Sequence, residues 1–93
     1  MKSLIFIFLD KIARQIVYAP QSNVLYVTTY KTLKNTSVWV VSPSLKIIGS
    51  TEIGDQEGVW LDTDGINGYY ATTSGLVFGK VDPSGNQAEK SAG

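Results

Sequence analysis

From residue 15 onward the chain reads as short apolar runs separated by turn residues. QIVYAP (15–20), VLYVTTY (24–30), TSVWVV (36–41), LKIIGSTEI (45–53), GVWLD (58–62), YYATTS (69–74) and LVFGKV (76–81) are rich in β-branched and aromatic residues. Each is bounded by turn chemistry: QSN, KTLKN, SPS, GDQ, DTDGING and PSG. This pattern predicts strands throughout. The opening LIFIFL (4–9) predicts a further strand over 3–10, within the one weak helix candidate, Leu4–Ile16, of which residues 11–14 tolerate helix. The closing NQAEKSAG has no apolar run, which predicts a flexible tail over 86–93.

The runs also recur at a nearly constant spacing. VWVVSPS (38–44) aligns with FGKVDPS (78–84) at an offset of 40, IVYAP (16–20) with GVWLD (58–62) at 42, and LYVTTY (25–30) with YYATTS (69–74) at 44. At 42, SLIFIFLD (3–10) also falls on LKIIGSTE (45–52). With the strands called a, b, c and d, the chain reads d, a, b, c, d, a, b, c. The predicted boundary between copies falls near 43–45, the SPS and DPS turns mark c-to-d corners, and the second c has no convincing d after it.

An antiparallel four-stranded unit of about 40 to 45 residues is the period of a β-propeller blade. VLYVTTY…TSVWVVSPSLKIIGSTEIG resembles the YVTN-type propeller repeat, and GVWLDTDGINGYYATTSGLVFGKVDPSGN is similar to blades of virginiamycin B lyase-like and two-component-regulator propellers. The resemblance covers roughly residues 15–86. It implies an all-β fold of two propeller-type blades over 1–85, and it carries little about function, because propellers host many activities. Lyase-like members are expected to use a histidine, and lactonase-like members bind a metal through carboxylates and asparagines from several blades. This chain lacks the first and is too short for the second.

Blades bury both sheet faces, so two alone leave apolar flanks that need a partner. Three resolutions stand open: a segment of a longer propeller, a protomer that completes a ring with copies of itself, or a small self-closed barrel or sandwich.

Composition narrows the chemistry. The 93 residues are 43% hydrophobic and 11% aromatic, a globular composition that calls for a folded core. Cysteine and histidine are both absent, which excludes disulfides, thiolate chemistry, histidine triads and histidine-bound zinc within this chain. A non-catalytic binding or assembly module without a cofactor is therefore expected. The alternatives are a fragment of a lyase- or lactonase-like propeller enzyme whose catalytic residues lie outside these residues, and a small oligomeric carbohydrate-binding protein. Eight basic residues balance eight acidic ones and are scattered, so neither nucleic acid nor a membrane surface is an expected partner. No run approaches the ~20 apolar residues of a transmembrane helix. The N-terminal run is short and interrupted by Asp10 and Lys11, so no clear export signal is read and the compartment stays open.

Three groups of residues carry candidate chemistry. Asp62, Asp64 and Asn67 around Gly65 resemble part of a calcium loop, although an EF-hand-like loop needs a bidentate carboxylate where Thr72 and Thr73 stand, and a hairpin turn explains the same residues. Glu52, Asp55, Glu57 and Asp62 gather carboxylates at one connection, where solvation of a turn competes with cation binding. Tyr18, Tyr26, Tyr30, Trp39, Trp60, Tyr69 and Tyr70 suit either inter-sheet packing or a glycan platform. Tyr30 and one of the neighbours Tyr69 and Tyr70 are expected at the surface, since consecutive strand residues face opposite sides. The NTS at 35–37 has the form of a glycosylation acceptor.

Overall fold

The structure, a computed structural model, describes residues 12–30, 36–54, 59–72 and 77–91, and the regular elements among them are all strands. They are β1 (Ile12–Ala19), β2 (Val24–Tyr30), β3 (Thr36–Val41), β4 (Ile47–Gly54), β5 (Trp60–Thr63), β6 (Gly68–Ala71), β7 (Val77–Val81) and β8 (Gln87–Ser91). Two four-stranded antiparallel sheets result, each a meander in chain order: β1-β2-β3-β4 and β5-β6-β7-β8.

Three expectations need correction. The SPS turn is the corner between β3 and β4 within one sheet, and the chain passes to the other sheet after Gly54, so 43–45 is not a boundary between sheets. Residues 12–14, read as tolerant of helix, begin β1. The tail expected from 86 onward instead forms β8, which pairs with β7 from Val81↔Gln87 to Val77↔Ser91. A polar strand gives no hydrophobic signal, yet an edge strand needs only backbone partners on one side and a corner that sets its register. The strand expected over 3–10 lies outside the described residues.

The two corners share one geometry. At 42–46, Ser42 N–H donates to Lys46 O and Leu45 N–H to Ser42 O, both at 2.8 Å, with Leu45 at φ 69°. At 82–86, Asp82 N–H donates to Asn86 O and Gly85 N–H to Asp82 O, both at 2.9 Å, with Gly85 at φ 93°. The left-handed residue lets a tight turn rejoin the ladder, and glycine takes that conformation without the strain a leucine carries. Side-chain oxygens reinforce both turns: Ser42 Oγ accepts from Lys46 N–H, and Asp82 Oδ1 accepts from the N–H groups of Ser84 and Asn86.

Residues paired across an antiparallel ladder share a face, and alternation assigns the rest. In the first sheet Val17, Tyr26, Val38 and Val40 share one face, and Ile16, Leu25, Val27, Trp39 and Val41 share the other. The first set meets Leu61, Tyr70 and Val81 of the second sheet in a common core. The second set forms a separate cluster with Leu45, in which Trp39 donates its indole N–H to Thr29 Oγ1 at 2.8 Å.

Close backbone approach locks the sheets together. A Cβ on Gly49 of β4 would lie 2.5 Å from Ser84 O in the β7–β8 corner. A Cβ on Gly68 would lie 2.6 Å from the Tyr26 ring. Around these contacts the β1–β2 turn grips the β5–β6 turn: Gln21 N–H donates to Gly65 O, and the hydroxyls of Ser22 and Tyr26 both donate to Ile66 O at 2.8 Å. On the unpaired edge of β5, which packs against β1, Leu61 N–H finds Gln15 Oε1 at 2.8 Å, so an edge donor is satisfied from the neighbouring sheet.

Candidate functional site

In the second sheet Leu61, Tyr70 and Val81 face the core, so their neighbours in sequence must face away. The ladder registers Trp60↔Ala71↔Phe78 and Asp62↔Tyr69↔Lys80 therefore define two parallel rows on the outer face. Large apolar side chains stand open there: Trp60 is 64% exposed, Tyr69 39% and Phe78 38%. Between them runs a shallow groove of about 310 Å³ lined by Trp60, Asp62, Tyr69, Ala71 and Phe78. An apolar surface of this kind costs free energy in water and is recovered when something covers it.

The β5–β6 turn buttresses one end of this face. Asp64 Oδ1 accepts the N–H groups of Ile66 and Asn67 at 2.9 and 2.8 Å, and Oδ2 accepts the Tyr69 hydroxyl at 2.8 Å. Those donors, Asn67 N–H foremost, hold the Asp64 carboxyl down to about 2, well below its ordinary value. The same bond to Asp64 raises the Tyr69 phenol. On the opposite side of the sheet, burial above all, helped by the charge of Asp82, pushes the Tyr26 phenol up to about 12.

The residues read as a partial calcium loop are thus parts of a turn. Both oxygens of Asp64 are engaged, Asp62 Oδ1 accepts the Thr63 N–H at 2.8 Å, and the Asn67 carbonyl takes the Thr63 hydroxyl at 2.7 Å. Among the described residues no group of three acidic, histidine or cysteine side chains is placed to hold a metal ion. Glu52 lies exposed on β4, while Asp55 and Glu57 fall outside the described residues.

The neighbours Tyr69 and Tyr70 separate as alternation requires. Tyr69 sits on the open face, whereas Tyr70 is 2% exposed in the core with Gln87 Nε2 donating to its hydroxyl, so Tyr70 is a packing residue and not a surface ligand group. Tyr30 ends β2 opposite Thr36, and its side chain lies outside what the structure describes. Trp60, in the group read as suiting either packing or a glycan platform, is the most open large hydrophobic among the described residues, and Phe78 and Lys80 join it on this face. The signal was present in the alternations W-L-D and F-G-K, which mark a sheet with one covered face.

Among the described residues no helix is long and apolar enough to cross a membrane. No family model matches the chain, and neither a curated protein nor a solved structure matches it.

Proposed function

We propose that the chain is a non-catalytic assembly module of two propeller-type blades, which docks a further sheet on the outer face of its second sheet. One observation carries this reading: positions equivalent by their corners face opposite ways in the two sheets. Val40 and Lys80 each stand two residues before the matching corners, and Val40 lies in the inter-sheet core while Lys80 is exposed. Val41 and Val81 stand one residue before them, and Val41 belongs to the far cluster while Val81 lies in the core.

A sandwich whose sheets are related by a twofold axis would bury the same positions from both. The opposite facing supports a second sheet that follows the first the same way round, the relation of successive blades in a propeller. Its outer face is then the counterpart of the face with which the first sheet holds the second. Tyr69 stands opposite Lys80 as Tyr26 stands opposite Val40, and Ala88 occupies the register place of Gly49. A further sheet laid on this face would cover Trp60, Tyr69 and Phe78.

Sedimentation velocity over a concentration series tests the docking role. Association that disappears when Trp60→Asp and Phe78→Asp are combined, without a lower melting temperature, supports it. A chain that stays monomeric at millimolar concentration, with Trp60 fully open to an aqueous fluorescence quencher, refutes it.

The groove favours one other reading, a glycan platform. Trp60, Tyr69 and Phe78 offer aromatic faces, with Asp62 and Lys80 beside them as hydrogen-bonding groups. A blank glycan array, or Trp60 fluorescence unmoved by any sugar, removes it.

A further inference from the structure

We infer that the partner on this face is a second copy of the same chain, related by a twofold axis that runs along the strands above Tyr69. This rests on the docking role proposed above and names what docks. Two independent observations lead to it: how many faces are open, and how charge is arranged on the open one.

The outward face of the first sheet is closed at its centre. Val27 and Val41 are fully buried there and Leu25 is 7% exposed, while Tyr18 and Ile47, on the edge strands at the two ends of the same row, are 50% and 44% exposed. The outward face of the second sheet is open on its central strands too, at Tyr69 and Phe78, beside Trp60 on the edge strand β5. Copies that add head to tail need two open and complementary faces, and successive additions make a ring or a filament. Among the described residues only the second sheet is open along its central strands, and such a patch pairing with itself on another copy closes as an isologous dimer.

The open face is also complementary to itself. The row Asp62–Tyr69–Lys80 has an acid on one side of the central tyrosine and a base on the other. A twofold axis lying between the copies, parallel to the strands and above Tyr69, reverses this row. Asp62 of each copy then meets Lys80 of the other, and Tyr69 meets Tyr69. The adjoining row Trp60–Ala71–Phe78 is reversed too, so that Trp60 of each copy opposes Phe78 of the other, with the small Ala71 leaving room between the aromatic pairs. An axis across the strands would set Asp62 on Asp62 and Lys80 on Lys80, so like-charge repulsion disfavours it. The selected arrangement keeps the strands of the two copies nearly aligned, the usual packing of sheets about 10 Å apart.

Charge reversal tests the register. Sedimentation equilibrium on the whole chain should give a dimer. Asp62→Lys and Lys80→Asp, each at an exposed position, should each weaken it roughly tenfold or more. An equimolar mixture of the two variants should regain the wild-type dimer, because opposite charges then face each other at both ends. The chain has no cysteine, so Tyr69→Cys provides a clean second probe: a bifunctional thiol reagent spanning about 10 Å, the separation of packed sheets, should cross-link identical positions. A mixture that stays dissociated, or a dimer in which Tyr69→Cys does not cross-link, overturns the inference. A larger, ring-sized oligomer that still depends on Trp60 overturns the twofold axis and leaves the docking role standing. A monomer under all conditions overturns both.

Discussion

The two sheets have the same strand order and the same corner geometry, but they differ in how many of their faces are covered. In the first, β3 reads TSVWVV and five of its six residues are buried; in the second, β7 reads VFGKV and only Val81 is. A continuous apolar run marks a strand covered on both sides, and an alternating one marks a strand covered on one. Two sheets of similar build therefore bury different shares of their faces: the central strands of the first are buried on both sides, and those of the second on one.

The harshest break of this arrangement is a methyl group at the seam. Gly49→Ala would press a Cβ against the backbone oxygen of Ser84, which cannot rotate away, so a loss of about 3 kcal/mol or more is expected in thermal or urea unfolding. Equal stability of wild type and Gly49→Ala would mean that the sheets do not meet at this corner. Gly54→Ala is the control: no atom lies within 4 Å of its Cβ, so its cost comes from φ +94° alone, about 1 to 2 kcal/mol.

Next in size is the contrast between buried and open positions. Val27→Ala and Val40→Ala remove fully buried methyl groups from opposite faces of the first sheet, and each should cost about 2 kcal/mol. Phe78→Ala, despite its larger side chain, should change the stability of the isolated chain by less than about 1 kcal/mol and should act on association instead. If Phe78→Ala destabilises as strongly as Val40→Ala, the outer face of the second sheet is already covered and the comparison between the sheets fails.

The tyrosine pair sharpens the comparison further. Tyr26→Phe strands the Ile66 carbonyl of one partner and should cost about 1 kcal/mol in urea unfolding. Tyr69→Phe, which releases Asp64 at the surface, should shift the midpoint far less.

Acid titration reads the smallest effect. Asp64 is held down to about 2 and Asp82 is lowered as well, so their contribution is present above the ordinary carboxyl value of about 4 and is lost as pH falls towards 2. Asp64→Asn should flatten that part of the stability profile. At the alkaline end the sign reverses for Tyr26: its contribution is present below about 10 and is lost as pH rises through about 12.

Much of this architecture is legible in the order of residue types along the chain. All seven strands expected between residues 15 and 81 are present, because β-branched runs between turn residues leave the backbone few alternatives. The kinship of SPS and DPS is also legible, and it appears as two corners with the same hydrogen bonds and a left-handed residue in the same place. The turn role of Asp64 follows from its neighbour Gly65, whose φ is +99°.

Other features are not legible, for identifiable reasons. β8 leaves no hydrophobic trace because its residues are polar and its stability comes from a ladder formed only once β7 is in place. The Thr-Thr alignment places Tyr26 on Tyr70, but the ladders place it on Tyr69, one residue earlier. Since a one-residue slip moves a side chain to the other face, that difference decides which tyrosine meets water.

By itself, then, the sequence determined the all-β class of the protein, the strands between residues 15 and 81, the turns between them and the lack of histidine and cysteine chemistry, because each of these is a local property of residue type and spacing. Only the tertiary structure decided which faces meet, that Trp60, Tyr69 and Phe78 share an open surface, and that Asp62 and Lys80 flank it. Those follow from register and from which sheet covers which, and both depend on residues about forty positions apart in the chain.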